Sequence, residues 1–113
     1  MSTRALAAID LILNAGEDPD DVLRLIVAEL VHEPEIEWAG VLFLENGSLV
    51  LGPEAGVTDR SRRISVPVLY LDAFVGELSI DGVAEVPFLE QVAQLISTHV
   101  LLGWDTGGET WDP

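Results

Sequence analysis

The stretch WAGVLFLENGSLVLGPEAG, Trp38 to Gly56, decides the fold because it spells a complete β-hairpin. Two apolar runs flank Asn46 and Gly47. Asn-Gly supplies the two positive-φ positions of a type I′ turn, so strand, turn and return strand are specified together. A second unit, ISVPVLYLDAFVGELSIDG from Ile64 to Gly82, repeats the plan with its break read at Asp72 and Ala73. The first strand, Ile36 to Glu45, is apolar on both faces, with Trp38, Leu42 and Leu44 on one and Ala39, Val41 and Phe43 on the other. A strand covered on both sides is central in its sheet or lines a pocket. Its partner, Ser48 to Leu51, reads as a short edge strand before an aperiodic loop from Gly52 to Ser61. In the third strand, Arg63 to Leu71, Ile64, Val66, Val68 and Tyr70 share a face, and Pro67, which has no N–H to donate, argues for an edge. The fourth strand turns Phe74, Leu78 and Ile80 one way and Val75, Glu77, Ser79 and Asp81 the other, toward water or a ligand.

Helices flank the hairpins. Leu6, Ile9, Ile12 and Leu13 recur at helical spacing ahead of Gly16. Asp18 then occupies the cap of a second helix, with Pro19 at its first position and Asp20 and Asp21 near the positive end of its dipole. Leu23, Ile26, Val27 and Leu30 form its stripe, and Val22 and Leu25 widen the apolar arc beyond what one core contact uses. A last helix runs from near Pro87 through Leu89, Val92, Ile96 and His99 to Gly103. The division expected is one domain over 1–103 and a tail over 104–113, whose Trp104 and Trp111 pack on the body or on a partner.

Charge and composition narrow the function classes. Twenty acidic residues against five basic ones give a net charge of −15, which repels nucleic-acid phosphates and anionic lipids, so neither partner is expected. All five basic residues are arginine. No apolar run approaches the roughly 20 residues that span a bilayer, and Asp10 with helical periodicity argues against a signal peptide, so a cytoplasmic location is expected. The absence of cysteine excludes disulfides, thiolate metal sites and cysteine nucleophiles.

The order helix, helix, hairpin, hairpin, helix resembles the GAF domain family in a shortened form, over nearly the whole chain. The run VPVLYLDAFVGELSID looks like that family's return strands, an apolar-Pro-apolar step before a short turn and an apolar-Gly-x-Leu strand. Trp38 to Gly56 looks most like the first hairpin of GAF domains that are free methionine-R-sulfoxide reductases. Those enzymes carry their cysteines in a long segment between the hairpins; here it is only Val57 to Arg63. The resemblance implies an α+β fold related to PAS and profilin-like domains. It consists of an antiparallel sheet of about four strands, order 2-1-4-3, with the terminal helices on one face. It also implies either a ligand on the sheet face opposite the helices or dimerisation through them. With the cysteines missing, reductase activity is not expected and the chain reads as a non-enzymatic signalling module. It would work by association, as a homodimer or with a protein partner. The alternative is a sensory domain holding an anionic or polar metabolite.

Few residues carry a chemical signal. Arg60, Arg62 and Arg63 lie within four positions. Guanidinium matches carboxylate or phosphate bidentately, yet the same arginines also suit pairing with the chain's surplus acids. A ligand surface would comprise Phe43, Arg62, Arg63, Ser65, Leu69, Glu77 and Ser79; a dimer interface, Val22, Leu25, His99 and Leu101. His99 has no second histidine at helical spacing, and Glu17, Asp18, Asp20 and Asp21 lack the pattern of a calcium loop, so no metal is expected. Nucleophile-elbow, GxGxxG and phosphate-loop motifs are absent, and no cofactor is expected.

Overall fold

The four strand-like runs and the three helical runs of the sequence resolve into an α+β molecule. The computed structural model describes residues 3–15 and 18–109, with side chains over 4–15 and 18–101. Its elements are α1 (Thr3–Leu13), α2 (Pro19–Leu30), β1 (Ile36–Glu45), β2 (Ser48–Gly56), a 3₁₀ turn (Arg60–Arg62), β3 (Arg63–Tyr70), β4 (Ala73–Gly82) and α3 (Val86–Glu109). The strands form one antiparallel sheet in the order β2-β1-β4-β3, as expected from the hairpin pattern. Doubly apolar β1 is thus central, and Pro67 sits in an edge strand.

Asn46 (φ 53°) and Gly47 (φ 83°) make the first turn, joining Glu45 to Ser48. The second hairpin turns one residue earlier than expected. Tyr70 opposes Ala73, and the positive φ values fall on Leu71 (51°) and Asp72 (68°). β2 continues to Gly56, where the sequence suggested a loop from Gly52 onward. A register shift between Gly40 and Leu42 absorbs the extra residue, as a β-bulge does, and pairing resumes at Gly40 with Glu54.

The helices cover one face of the sheet. α2 lies against β1 and β2, α3 chiefly against β3, and α1 rests on α2. Between them Ile9, Leu23, Ile26, Leu30, Val41, Leu78, Ile80, Leu89 and Ile96 are fully buried. Arg4 fastens α1 to the end of α2, with Nη1 3.0 Å from Glu29 and Nη2 2.7 Å from Glu33. Asp18 takes the N-cap position of α2 without a side-chain cap bond, and Pro19 opens the helix. Among the described residues no helix is long and apolar enough to cross a membrane.

Val22, assigned to a dimer interface from sequence, is instead 0% exposed in the chain's own core. The buried arc of α2 is wide enough to include it because the helix packs on the sheet and also receives α1 and α3. Leu25 is 49% exposed, while His99 and Leu101 are half-buried on α3. α3 passes Gly103, a residue type that commonly ends helices, and continues to Glu109. The Trp104 side chain and Trp111 lie outside the described residues.

Candidate functional site

The sheet face away from the helices carries a shallow groove of about 190 Å³. β1 supplies its floor: Trp38 is only 2% exposed although it lies outside the core cluster packed under the helices. Room for the indole exists because residue 40 is glycine, where a Cβ would stand 2.5 Å from ring atoms Cη2 and Cζ2. The ring is held from both sides. Its Nε1 donates to Glu54 Oε1 of β2 at 2.8 Å, and the Arg63 guanidinium of β3 stacks 4.3 Å from the ring centroid, a cation–π contact.

Arg63 has a second partner. Its Nε and Nη2 donate to the two carboxylate oxygens of Asp81 at 2.7 and 2.9 Å, the bidentate fork that arginine geometry favours. Asp81, on β4, is 0% exposed and also accepts the Asp59 backbone N–H at 2.6 Å. The Arg63 hydrogen bonds, with help from that N–H and from the charge of Arg60, hold the Asp81 carboxyl below the ordinary value of 3.8 against the opposing pull of burial. The same pairing raises Arg63, so both groups are charged at neutral pH. Asp59 also accepts from Ser61 Oγ at 2.6 Å, and the Arg62 N–H donates to its carbonyl at 3.0 Å, which shapes the 3₁₀ turn entering β3. Ser65 and Ser79, opposite one another on β3 and β4, share a hydroxyl hydrogen bond of 2.7 Å.

The ligand residues expected from sequence divide accordingly. Arg63, Ser65, Glu77 and Ser79 do line one groove. Arg62 does not: it leaves the groove to pair with Glu37 at 2.8 Å. Phe43 packs against the core on the helix side, the face that β1 gives to Ala39 and Val41. Leu69 lies past a register shift at Val68 and Leu69 and lines a different depression, against α3. Trp38, Glu54, Thr58 and Arg60 belong to the groove but were not among the expected site residues. For Trp38 the signal was register: once β1 and β3 are both aligned on β4, Trp38 and Arg63 oppose the same Asp81 from either side.

Electrostatically the groove is almost self-sufficient. Arg63 neutralises Asp81, Trp38 satisfies Glu54 and the two serines satisfy each other. Arg60 also lines it and forms no ion pair among the described residues. No cluster of three histidine or acidic side chains suited to a metal occurs among the described residues.

No protein-family model and no curated protein matches this sequence. Solved structures do. The GAF domain of an Acinetobacter phosphoenolpyruvate-protein phosphotransferase is similar at a TM-score of 0.71 and 15% identity, over 96% of this chain and 99% of that one. The corresponding GAF domain from Coxiella burnetii gives 0.75 at 14% identity, over 93% and 95%. Free methionine-R-sulfoxide reductase from Neisseria meningitidis, in complex with its substrate, gives 0.70 at 14% identity, over 94% and 95%. The chain therefore has the GAF fold. The same comparisons correct the expectation that it is not an enzyme. Several similar structures are free methionine-R-sulfoxide reductases, at 14 to 19% identity, so the fold adopted here is also an enzyme's fold, even though this chain has no cysteine.

Proposed function

We propose that this GAF-fold chain is a regulatory module that acts by association, as a homodimer formed through its helical layer. One observation carries the reading: most of the polar side chains with which the outer face would grip a ligand are spent on one another, Arg63 on Asp81, Trp38 on Glu54 and Ser65 on Ser79, which leaves Arg60 and Glu77 of the groove's charged residues. The groove left above them, about 190 Å³, is below the roughly 300 Å³ at which small-molecule sites usually begin. The helical layer, by contrast, leaves Leu11 72%, Leu25 49% and Val86 45% exposed. Burying a leucine contributes about 1.5–3 kcal/mol, so a few per subunit sustain a symmetric dimer. The charge of −15 opposes it, more strongly at low salt.

Static light scattering tests this. A dimer is expected at physiological salt, weakening as salt is removed and shifting to monomer in Leu25→Asp or Leu101→Asp with the fold retained. A wild-type monomer at high micromolar concentration would overturn it. Arg60, which forms no ion pair among the described residues, favours a second reading, a small anionic or polar metabolite in the groove; a bound metabolite in native mass spectrometry of purified protein would select that reading.

A further inference from the structure

A second, larger depression lies on the opposite side of β3, about 460 Å³ in volume, between the β3–β4 hairpin and α3. Leu69 and Leu71 line it from the hairpin, Glu90 and Gln94 from the helix, and Asp72 closes its end. None of the residues lining it is basic.

Folding does not account for the residue at the tip of this hairpin. Leu71 occupies the first central position of a two-residue turn at φ 51°, the conformation in which asparagine or glycine is favoured and a leucine is strained. It is also 84% exposed, so it gains nothing from burial in return. Its neighbours continue the apolar surface: Leu69 is 46% and its cross-strand partner Phe74 40% exposed. The first hairpin shows the contrast, since the equivalent position there is Asn46.

We infer that this groove and the Leu71 tip form a docking surface for a basic, extended segment of a partner protein, whose apolar side chains cover Leu69 and Leu71 while its lysine or arginine residues meet Asp72 and Glu90. Charge selects the occupant. Two carboxylates rim an apolar floor on a chain of net charge −15, which favours a cationic segment in both encounter and docking. A second copy of this chain is a poor occupant. Of its five arginines, Arg4, Arg24, Arg62 and Arg63 already pair with its own acids, and among the described residues only Arg60 forms no ion pair. The surface borders α3, but none of its lining residues is among Leu11, Leu25 and Leu101, the residues proposed for self-association.

The test is an amide NMR titration of the full chain with a blocked Lys-Leu-Lys-Leu-Lys peptide, alongside its Glu-Leu-Glu-Leu-Glu counterpart. Saturable shifts confined to residues 69–74 and 90–94, seen with the basic peptide only, are expected. Leu71→Asn keeps a residue suited to the turn, so it folds, and is expected to weaken binding by about tenfold or more, the value of one buried leucine. Asp72→Lys with Glu90→Lys should reverse the preference toward the acidic peptide. Light scattering of these variants should match wild type, which separates this surface from the self-association reading. The inference is overturned by an absence of shifts at millimolar peptide, by shifts centred elsewhere, by equal binding to Leu71→Asn, or by shifts in this region that follow protein concentration alone.

Discussion

Replacing Arg63 with methionine removes both donors of the fork and leaves the Asp81 carboxylate, 0% exposed, with the Asp59 N–H alone. Breaking a buried ion pair from one side costs about 3–5 kcal/mol, and the lower end applies here because the Arg63 side chain is itself 27% exposed. Near 5 °C of melting temperature per kcal/mol for a chain of this size, the loss is about 15 °C. Arg63→Met combined with Asp81→Leu discards the charge with its partner and should recover most of that loss, to within about 1–2 kcal/mol of wild type. The pH dependence supplies a signed control. In wild type the Asp81 carboxyl is held below 3.8, so its contribution is present above that value and is lost as pH falls through the lower folded one. In Arg63→Met the largest influence lowering Asp81 is gone, and burial opposes only the Asp59 N–H and the charge of Arg60, so Asp81 rises relative to wild type and mild acidification should cost the variant less stability than it costs wild type. Urea unfolding of the four proteins of the cycle at two pH values measures all of this. A cost below about 1 kcal/mol for Arg63→Met, or a double variant as unstable as the sum of the singles, would refute the view of the pair as a structural strut.

Gly40→Val should drive a side chain into the Trp38 indole and cost about 1–3 kcal/mol, measured by urea unfolding. Burial lowers His99 from 6.5, so its neutral form contributes stability that is complete above that pH and declines as pH falls below it. His99→Leu should therefore flatten the melting temperature between about pH 7.5 and 5.5, as read by circular dichroism. Val22→Asp, which buries a lone charge in the core, should unfold the chain by circular dichroism, whereas Leu25→Asp should leave it folded.

The sequence made the architecture legible because its strongest local signals were geometric. Asn46-Gly47 fixed one turn, Pro67 marked an edge and the doubly apolar β1 marked the centre, and together they imply the order β2-β1-β4-β3. The site was less legible, and register explains why. A break read at Asp72 and Ala73, where the turn is in fact Leu71 and Asp72, slides β3 against β4 and separates Arg63 from Asp81. Leucine at positive φ gives no turn signal, so the error was invisible locally. The register shifts at Gly40/Leu42 and Val68/Leu69 add to it, since strict alternation cannot locate an extra residue. Phe43 illustrates a different limit. Alternation grouped it correctly with Ala39 and Val41, but nothing in the alternation says which of two apolar faces the helices will take.

The cluster around Trp38 draws one side chain from each strand: Glu54 from β2, Trp38 from β1, Asp81 from β4 and Arg63 from β3. A sheet with helices on one side only would ordinarily fray from its edges inward, each outer strand opening on its own. Here the uncovered side is laced straight across, from one margin to the other, by contacts that lose their partners if either margin lifts. The two edge strands should therefore exchange their amide protons in a single shared opening event, and the bare side of the sheet supplies the cooperativity that a second layer of helices would otherwise provide.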